Sequence, residues 1–245
     1  VGMFLSGGYD SSAVTAILQK DRTEKIKTFS IGFYEKKYNE ANHAKKVAEY
    51  LGTDHTEYYC TQKDAQELLP LLPQIWDEPF GDASNIPTTL VSRLARKNVT
   101  VSLSADGGDE IFGGYDKYTQ TLKFQKLFSK MPFCGVIGSL MESINPEYLL
   151  GVNKTYNFAN RYEKLKTLLK AKDEIEMMNG VVYYFNPSEV KKLLGITSII
   201  TTSFTAVTRI GAHNDSIDKM MAIDYKTYQL DDILVKVDRA TMSVS

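Results

Sequence analysis

An α/β fold is what this sequence predicts, with a doubly wound parallel sheet first and a mostly helical second half. Three observations carry the prediction. Strand-length runs alternate with helix-length amphipathic segments over roughly the first 100 residues, the pattern of βα units in a parallel sheet. The first run ends in a glycine turn that opens a helix. From about Tyr118 the strand signals fade, and helical stretches rich in tyrosine, lysine and leucine take over, placing a boundary near residue 120 between regions 1–120 and 121–245.

Met3, Phe4 and Leu5 form the first apolar strand, broken by Ser6-Gly7-Gly8 ahead of a helix from Ser11 to Lys20. Lys25 to Phe33 alternates polar and apolar residues and reads as the second strand. Ala41, Ala44, Val47, Ala48 and Leu51 share one helical face, and Gly52 ends that helix. His55 to Thr61 reads as a third strand. The helix from Asp64 to Trp76 must kink or unwind at Pro70 and Pro73. Pro87 opens an amphipathic helix from Ile86 to Lys97, and the β-branched run Val99 to Ser104 is a fourth, buried strand. Further on, Pro132, Pro146 and Pro187 punctuate helices, with Ser198 to Thr208 a β-branched exception. In a doubly wound sheet ligands sit beyond the carboxyl ends of the strands, so the loops after strands one, two and four should face one crevice.

Composition narrows the class of function. With 43% hydrophobic and 24% charged residues, the chain is an ordinary globular protein of one or two domains. A net charge of −1 argues against nucleic acid or membrane as a general partner. No apolar run reaches the roughly 20 residues of a transmembrane helix, and no signal peptide is visible. Two cysteines, Cys60 and Cys134, make neither a disulfide framework nor a zinc site, which points to a reducing cytoplasm. His43, His55 and His213 lack metal spacing and read as structural or solvated. The chain opens at Val1, inside its first strand, and closes at Ser245 without a stop signal, which predicts a piece of a longer protein.

Two stretches carry chemistry. Ser6-Gly7-Gly8-Tyr9-Asp10-Ser11 is a strand–turn–helix nest whose amides converge on an anion, aided by the helix dipole. Asp10 would repel phosphates unless a divalent cation lay between them. The turn has no lysine, so it is not the lysine-bearing P-loop. It predicts a nucleotide with Mg²⁺, held through backbone amides and metal. The second stretch crowds Asp106, Asp109 and Glu110 around Gly107-Gly108 at the end of strand four. Like charges so close need a cation, and a Mg²⁺ shared by Asp10 and Asp109 meets that need. The two glycines let the backbone pass close to a ligand.

The first of these motifs resembles the Ser-Gly-Gly-x-Asp-Ser pyrophosphate loop of the ATP pyrophosphatases. Ser104-Ala-Asp-Gly-Gly-Asp-Glu-Ile-Phe-Gly-Gly-Tyr115 narrows the resemblance to asparagine synthetase and its relative β-lactam synthetase. Asp77-Glu-Pro-Phe-Gly-Asp-Ala-Ser-Asn-Ile-Pro87 and the tail from Asp231 to Ser245 resemble two further segments of that family, in the same order. The resemblance implies a doubly wound, parallel, five-stranded sheet of the adenine nucleotide α-hydrolase type in 1–120, with 121–245 completing a C-terminal synthetase domain. It implies ATP and Mg²⁺, with Ser6, Gly7, Gly8 and Ser11 cradling pyrophosphate and Asp10 and Asp109 holding the metal. Leu5, Ile31, Gly32, Ser104, Ala105 and Gly107 would line the nucleotide through backbone and apolar contact. Asp106 matches the acid/base or ammonia-handling position, where relatives often carry Glu, and Ala105 replaces a usual Gly.

The implied reaction adenylates the aspartate side chain to β-aspartyl-AMP and then displaces AMP with ammonia from glutamine. The glutaminase domain that supplies ammonia would precede Val1, and the lysine-rich loop that steadies the α-phosphate would follow Ser245. This stretch alone would therefore bind ATP poorly or turn over slowly. Of the tail cations, Lys236 and Arg239 are the ones placed to approach the site, with an exposed helical face as the equal alternative. The resemblance leaves room for a homodimer, for a relative acting on another carboxylate such as a polysaccharide sugar acid, and for a nucleotide-binding module without turnover.

Overall fold

Four parallel strands in the order β3-β2-β1-β4 organise the first part of the molecule: β1 (Gly2–Phe4), β2 (Lys27–Phe33), β3 (Asp54–Cys60) and β4 (Ser102–Leu103). The computed structural model describes residues 1–35, 37, 39–144, 146, 158–183, 185, 187–198 and 215–245. Among them the sheet has four strands, not the five that the family resemblance implied. The physical reason is in the chain, since only four strand-type runs occur between Val1 and Tyr115. The β-branched run 198–208 lies almost wholly outside the described residues, as does His213.

The register pairs Gly2 with Lys27 on one side and with Ser102 on the other. Helices cover both faces, as a parallel sheet requires. On one face Leu5 packs against Ala44 and Ala48 of α2 (Ala41–Leu51), the stripe read from the sequence. On the other, Cys60, Leu68 and Leu90 gather Ile31, Phe33, Leu71, Ile75 and Ile86. The prolines act as expected. The segment predicted as one helix is α3 (Gln62–Leu68), a 3₁₀ turn (Leu69–Leu71) and α4 (Leu72–Trp76). His55 is structural, its Nδ1 lying 2.9 Å from Thr28 Oγ1 and its Nε2 3.2 Å from Ser30 Oγ. Burial holds its pKa below the ordinary imidazole value, partly offset by Glu57.

The chain forms two compact units: Val1–Asp109 together with Tyr228–Ser245, and Glu110–Thr227. The last segment thus joins the sheet. A π-helical turn (Gln229–Ile233) leads into a helix, Leu234–Met242, that packs on α5 (Asn85–Arg96). Arg96 Nε donates to the Val244 carbonyl at 3.2 Å, fastening its far end.

The second unit is helical. After α6 (Gly108–Phe112), which crosses the division, come α7 (Asp116–Phe128), α8 (Cys134–Glu142), α9 (Phe158–Lys170), α10 (Glu174–Val182), α11 (Pro187–Leu194) and α12 (Ser216–Lys226). The helix Leu234–Met242 is therefore α13. Tyr118, Met178, Met220 and Ile223 form the core of this unit. Asp173 and Asp215 cap α10 and α12 with their carboxylates on first-turn N–H groups, a placement the helix dipole favours. Among the described residues no helix is long and apolar enough to cross a membrane.

Candidate functional site

The turn after β1 is built from its own hydroxyls. Ser6 and Ser11 share a hydrogen bond at 2.9 Å, the Ser6 N–H donates to Ser11 Oγ at 3.3 Å, and the Gly8 N–H donates to Ser6 Oγ at 3.2 Å. Helix α1 (Tyr9–Gln19) begins at Gly8, which has no side chain to cap it, and Asp10 lies in its first turn. Gly7 is required twice over. Its φ is +84°, and a Cβ there would come within 2.5 Å of the Ala44 nitrogen and 2.7 Å of the His43 carbonyl carbon. The turn rests directly on the N-terminal backbone of α2.

The order β3-β2-β1-β4 puts the topological switch point between β1 and β4, where doubly wound sheets bind ligands. The turn after β4 arrives there. Its Gly108 N–H donates to the Ala105 carbonyl at 3.2 Å, and Gly107 is buried with φ +95°. The decisive contact is at Gly108, where a Cβ would lie 2.5 Å from Asp10 Oδ2 and 2.6 Å from its Cγ. The backbone one residue before Asp109 is therefore pressed against the Asp10 carboxylate. Two motifs about a hundred residues apart in sequence meet as neighbours.

The other site residues sort clearly. Asp106 is exposed at the tip of the turn, and Ser104, Ala105, Gly108 and Asp109 are half-buried. The side chains of Leu5 and Ile31 belong to the two cores, so these positions offer backbone at the sheet's carboxyl end. Gly32 lies under the Tyr59 ring, where a Cβ would meet ring carbons at 2.8 Å. Glu110, counted among three crowded acids, serves its own unit. It is 2% exposed and accepts a 2.7 Å hydrogen bond from the Tyr115 hydroxyl.

Mg²⁺ fits the donor set. Among the described residues no cluster of three or more His, Cys, Asp or Glu is gathered to cage a metal. Asp10, with Asp109 one residue past the close approach at Gly108, nonetheless offers the one or two carboxylates that Mg²⁺ takes while keeping water and phosphate oxygens for the rest.

The segment 77–85, the third stretch of family resemblance, is held by the tail. Lys236 of α13, 8% exposed, donates to Asp82 Oδ2 at 3.0 Å, and Arg239 reaches Asp77 at 2.5 Å. Asp82 also accepts from the Ser84 N–H at 2.8 Å and its hydroxyl at 2.6 Å. Burial works to raise its pKa, but Ser84 and Lys236 together hold the carboxyl below its ordinary value. Lys236 is thus neither on an exposed face nor an open cation. Sequence reasoning left both options standing, because helical periodicity alone does not say what covers a helix. A separate cavity of about 570 Å³ lies in the helical unit, lined by Phe128, Cys134, Leu169 and Lys170 among others, and none of the predicted site residues touches it.

A family model described as asparagine synthase matches residues 1–245. A Methanocaldococcus jannaschii protein with the provisional name asparagine synthetase (glutamine-hydrolyzing) 2 is 37% identical over 250 residues, covering 99% of this chain and 45% of that protein. Asparagine synthetase (glutamine-hydrolyzing) 1 of Bacillus subtilis is 31% identical over 251 residues, covering 100% of this chain and 37% of its own length. The chain spans less than half the length of these curated relatives.

Proposed function

The chain belongs to the asparagine synthase family, and on that premise we propose that it is the ATP-using part of a glutamine-dependent asparagine synthetase. The observation that supports this reading is the approach of the β4 turn to Asp10, which brings the glycine turn after β1 and the segment carrying Asp109 together at the switch point of the sheet.

A carboxylate does not react with an amine until one oxygen becomes a leaving group. In the proposed first step a side-chain carboxylate oxygen of aspartate bonds to the α-phosphorus of ATP, the bond from that phosphorus to the α–β bridging oxygen breaks, and pyrophosphate departs. Ser6, Gly7, Gly8 and Ser11 are assigned to the pyrophosphate, which would draw the Ser6 and Gly8 N–H groups from the hydroxyls that now accept them, and the N-terminal end of α1 favours its charge. Asp10 and Asp109 would hold Mg²⁺, which when bound offsets the charge gathering on the departing phosphates. In the second step the ammonia nitrogen bonds to the acyl carbon, AMP leaves, and the surplus proton passes to a base. That base is assigned to Asp106, which is exposed at the turn. Glutamine is the proposed source of ammonia, and the cytoplasm the compartment.

The test is ATP–pyrophosphate exchange by the intact protein, with aspartate and with a panel of other carboxylic acids. Exchange that depends on Mg²⁺ and on aspartate is expected. Exchange elicited by a different acid, or exchange indifferent to any acid, overturns the assignment.

A further inference from the structure

Resting on that reading, we propose that Gln229 is a positioning residue of the site, holding the Asp106–Gly107 turn in place for the nitrogen-transfer step. Gln229 comes from the tail, at the start of the π-helical turn that ends with the Leu234 N–H on the Gln229 carbonyl. A π turn inserts one residue into a helix and re-aims the side chains around it, and such turns gather at functional sites. This one delivers the Gln229 amide against Gly107, where a Cβ would fall 2.6 Å from its Nε2. Gly107, at φ +95°, accepts no ordinary side chain, so the amide fills the space that residue leaves. Gln229 is thereby locked beside the peptide that follows Asp106.

The second observation is polar. Gln229 is 9% exposed, and its Oε1 is buried without a hydrogen-bond partner among the described residues. Burying an amide oxygen unpaired is unfavourable, and a methionine would fill a similar volume without that cost. Packing alone therefore does not account for glutamine here. Its amide instead braces the turn that carries Asp106, the residue assigned to the proton of the nitrogen-transfer step. Asp10, assigned to adenylation, meets the same turn one residue further on, at Gly108.

The experiment compares the parent with Gln229→Met and Gln229→Glu in the intact protein. Aspartate-dependent ATP–pyrophosphate exchange reads the first step, and asparagine formation from added ammonia reads the second. Gln229→Met is expected to lower amidation roughly 10- to 100-fold, and at least ten times more than it lowers exchange, as loss of positioning does. Gln229→Glu, which keeps an acceptor oxygen at the same reach, is expected to retain amidation at least tenfold better than Gln229→Met. Parallel loss of both steps, amidation by Gln229→Glu no better than by Gln229→Met, or no loss in either step overturns the proposal. A parent without aspartate-dependent exchange overturns the functional reading instead, so the two failures are separable.

Discussion

Each unit of the molecule buries a lysine–aspartate pair, and the two pairs do different work. In the sheet unit Lys236 and Asp82 meet at 3.0 Å with side chains 10% and 19% exposed; in the helical unit Lys117 and Asp224 meet at 2.7 Å with 16% and 2%. Asp224 is a core group, taking a further 2.6 Å hydrogen bond from the Tyr118 hydroxyl, while the Lys117 ammonium lies 4.4 Å from the Tyr115 ring centre. It ties α7 to α12 and fixes the packing of a helical core. Asp82 instead anchors a loop, satisfied first by neighbouring Ser84 and then by a lysine from the tail. The comparison teaches where each unit needs polar specificity: between packed helices in one, and in the loops beyond a sheet in the other.

Breaking the deeper pair should cost most. Asp224→Ala strips Lys117 of its carboxylate and Tyr118 of its acceptor, and is expected to destabilise the helical unit by about 3–5 kcal/mol, read by urea unfolding. Next comes Gly108→Ala, which forces the Asp10 carboxylate or the β4 turn to move. It should lower aspartate-dependent exchange about 100-fold while leaving the unfolding midpoint nearly unchanged. Unaltered exchange would mean that the approach of Gly108 to Asp10 is incidental.

Lys236→Met tests the loop anchor. Because Ser84 still serves Asp82, the expected loss is about 1–3 kcal/mol, appearing as faster amide exchange in residues 228–245. Acid should produce the smallest effect. The Asp82 pKa is lowered in the folded protein, so its stabilisation is present above the ordinary carboxylate value and is lost as pH falls through the lowered one. Tail amide protection, corrected for the intrinsic exchange rate, should therefore fall below about pH 4 in the parent, and the acid dependence should shrink in Lys236→Met. An acid response of equal size in both would show that another group carries it.

Much of the first unit was legible in the sequence because its signals are local. The alanine stripe of α2, the prolines that split Asp64–Trp76 and the glycine turn after β1 each act within a few residues, and each appears where it was read. The ends of the first three strands hold to within two residues, whereas the fourth, read as a buried run from Val99 to Ser104, is the two-residue strand Ser102–Leu103 with Val101 and Leu103 exposed. What escaped was the return of the tail. Residues 228–245 read as the end of the helical half, yet they pack on α5 and bring Gln229 to Gly107 and Lys236 to Asp82. No local pattern distinguishes a buried lysine on an amphipathic helix from a solvated one when its partner lies 154 residues away. Glu110 misled for the converse reason, since adjacency to Asp109 suggested a shared task whereas its carboxylate serves Tyr115.

By itself, then, the sequence determined which backbone shapes could form and which chemistry the loops could hold, because glycine, proline and hydrophobic spacing act through short-range sterics and burial. Only the tertiary structure decided which loops share a neighbourhood. The strand order sets Asp10 beside the β4 turn, and the close approach at Gly108 makes two separate motifs into one candidate site. Such contacts depend on how the whole sheet closes, a long-range outcome that no window of residues encodes.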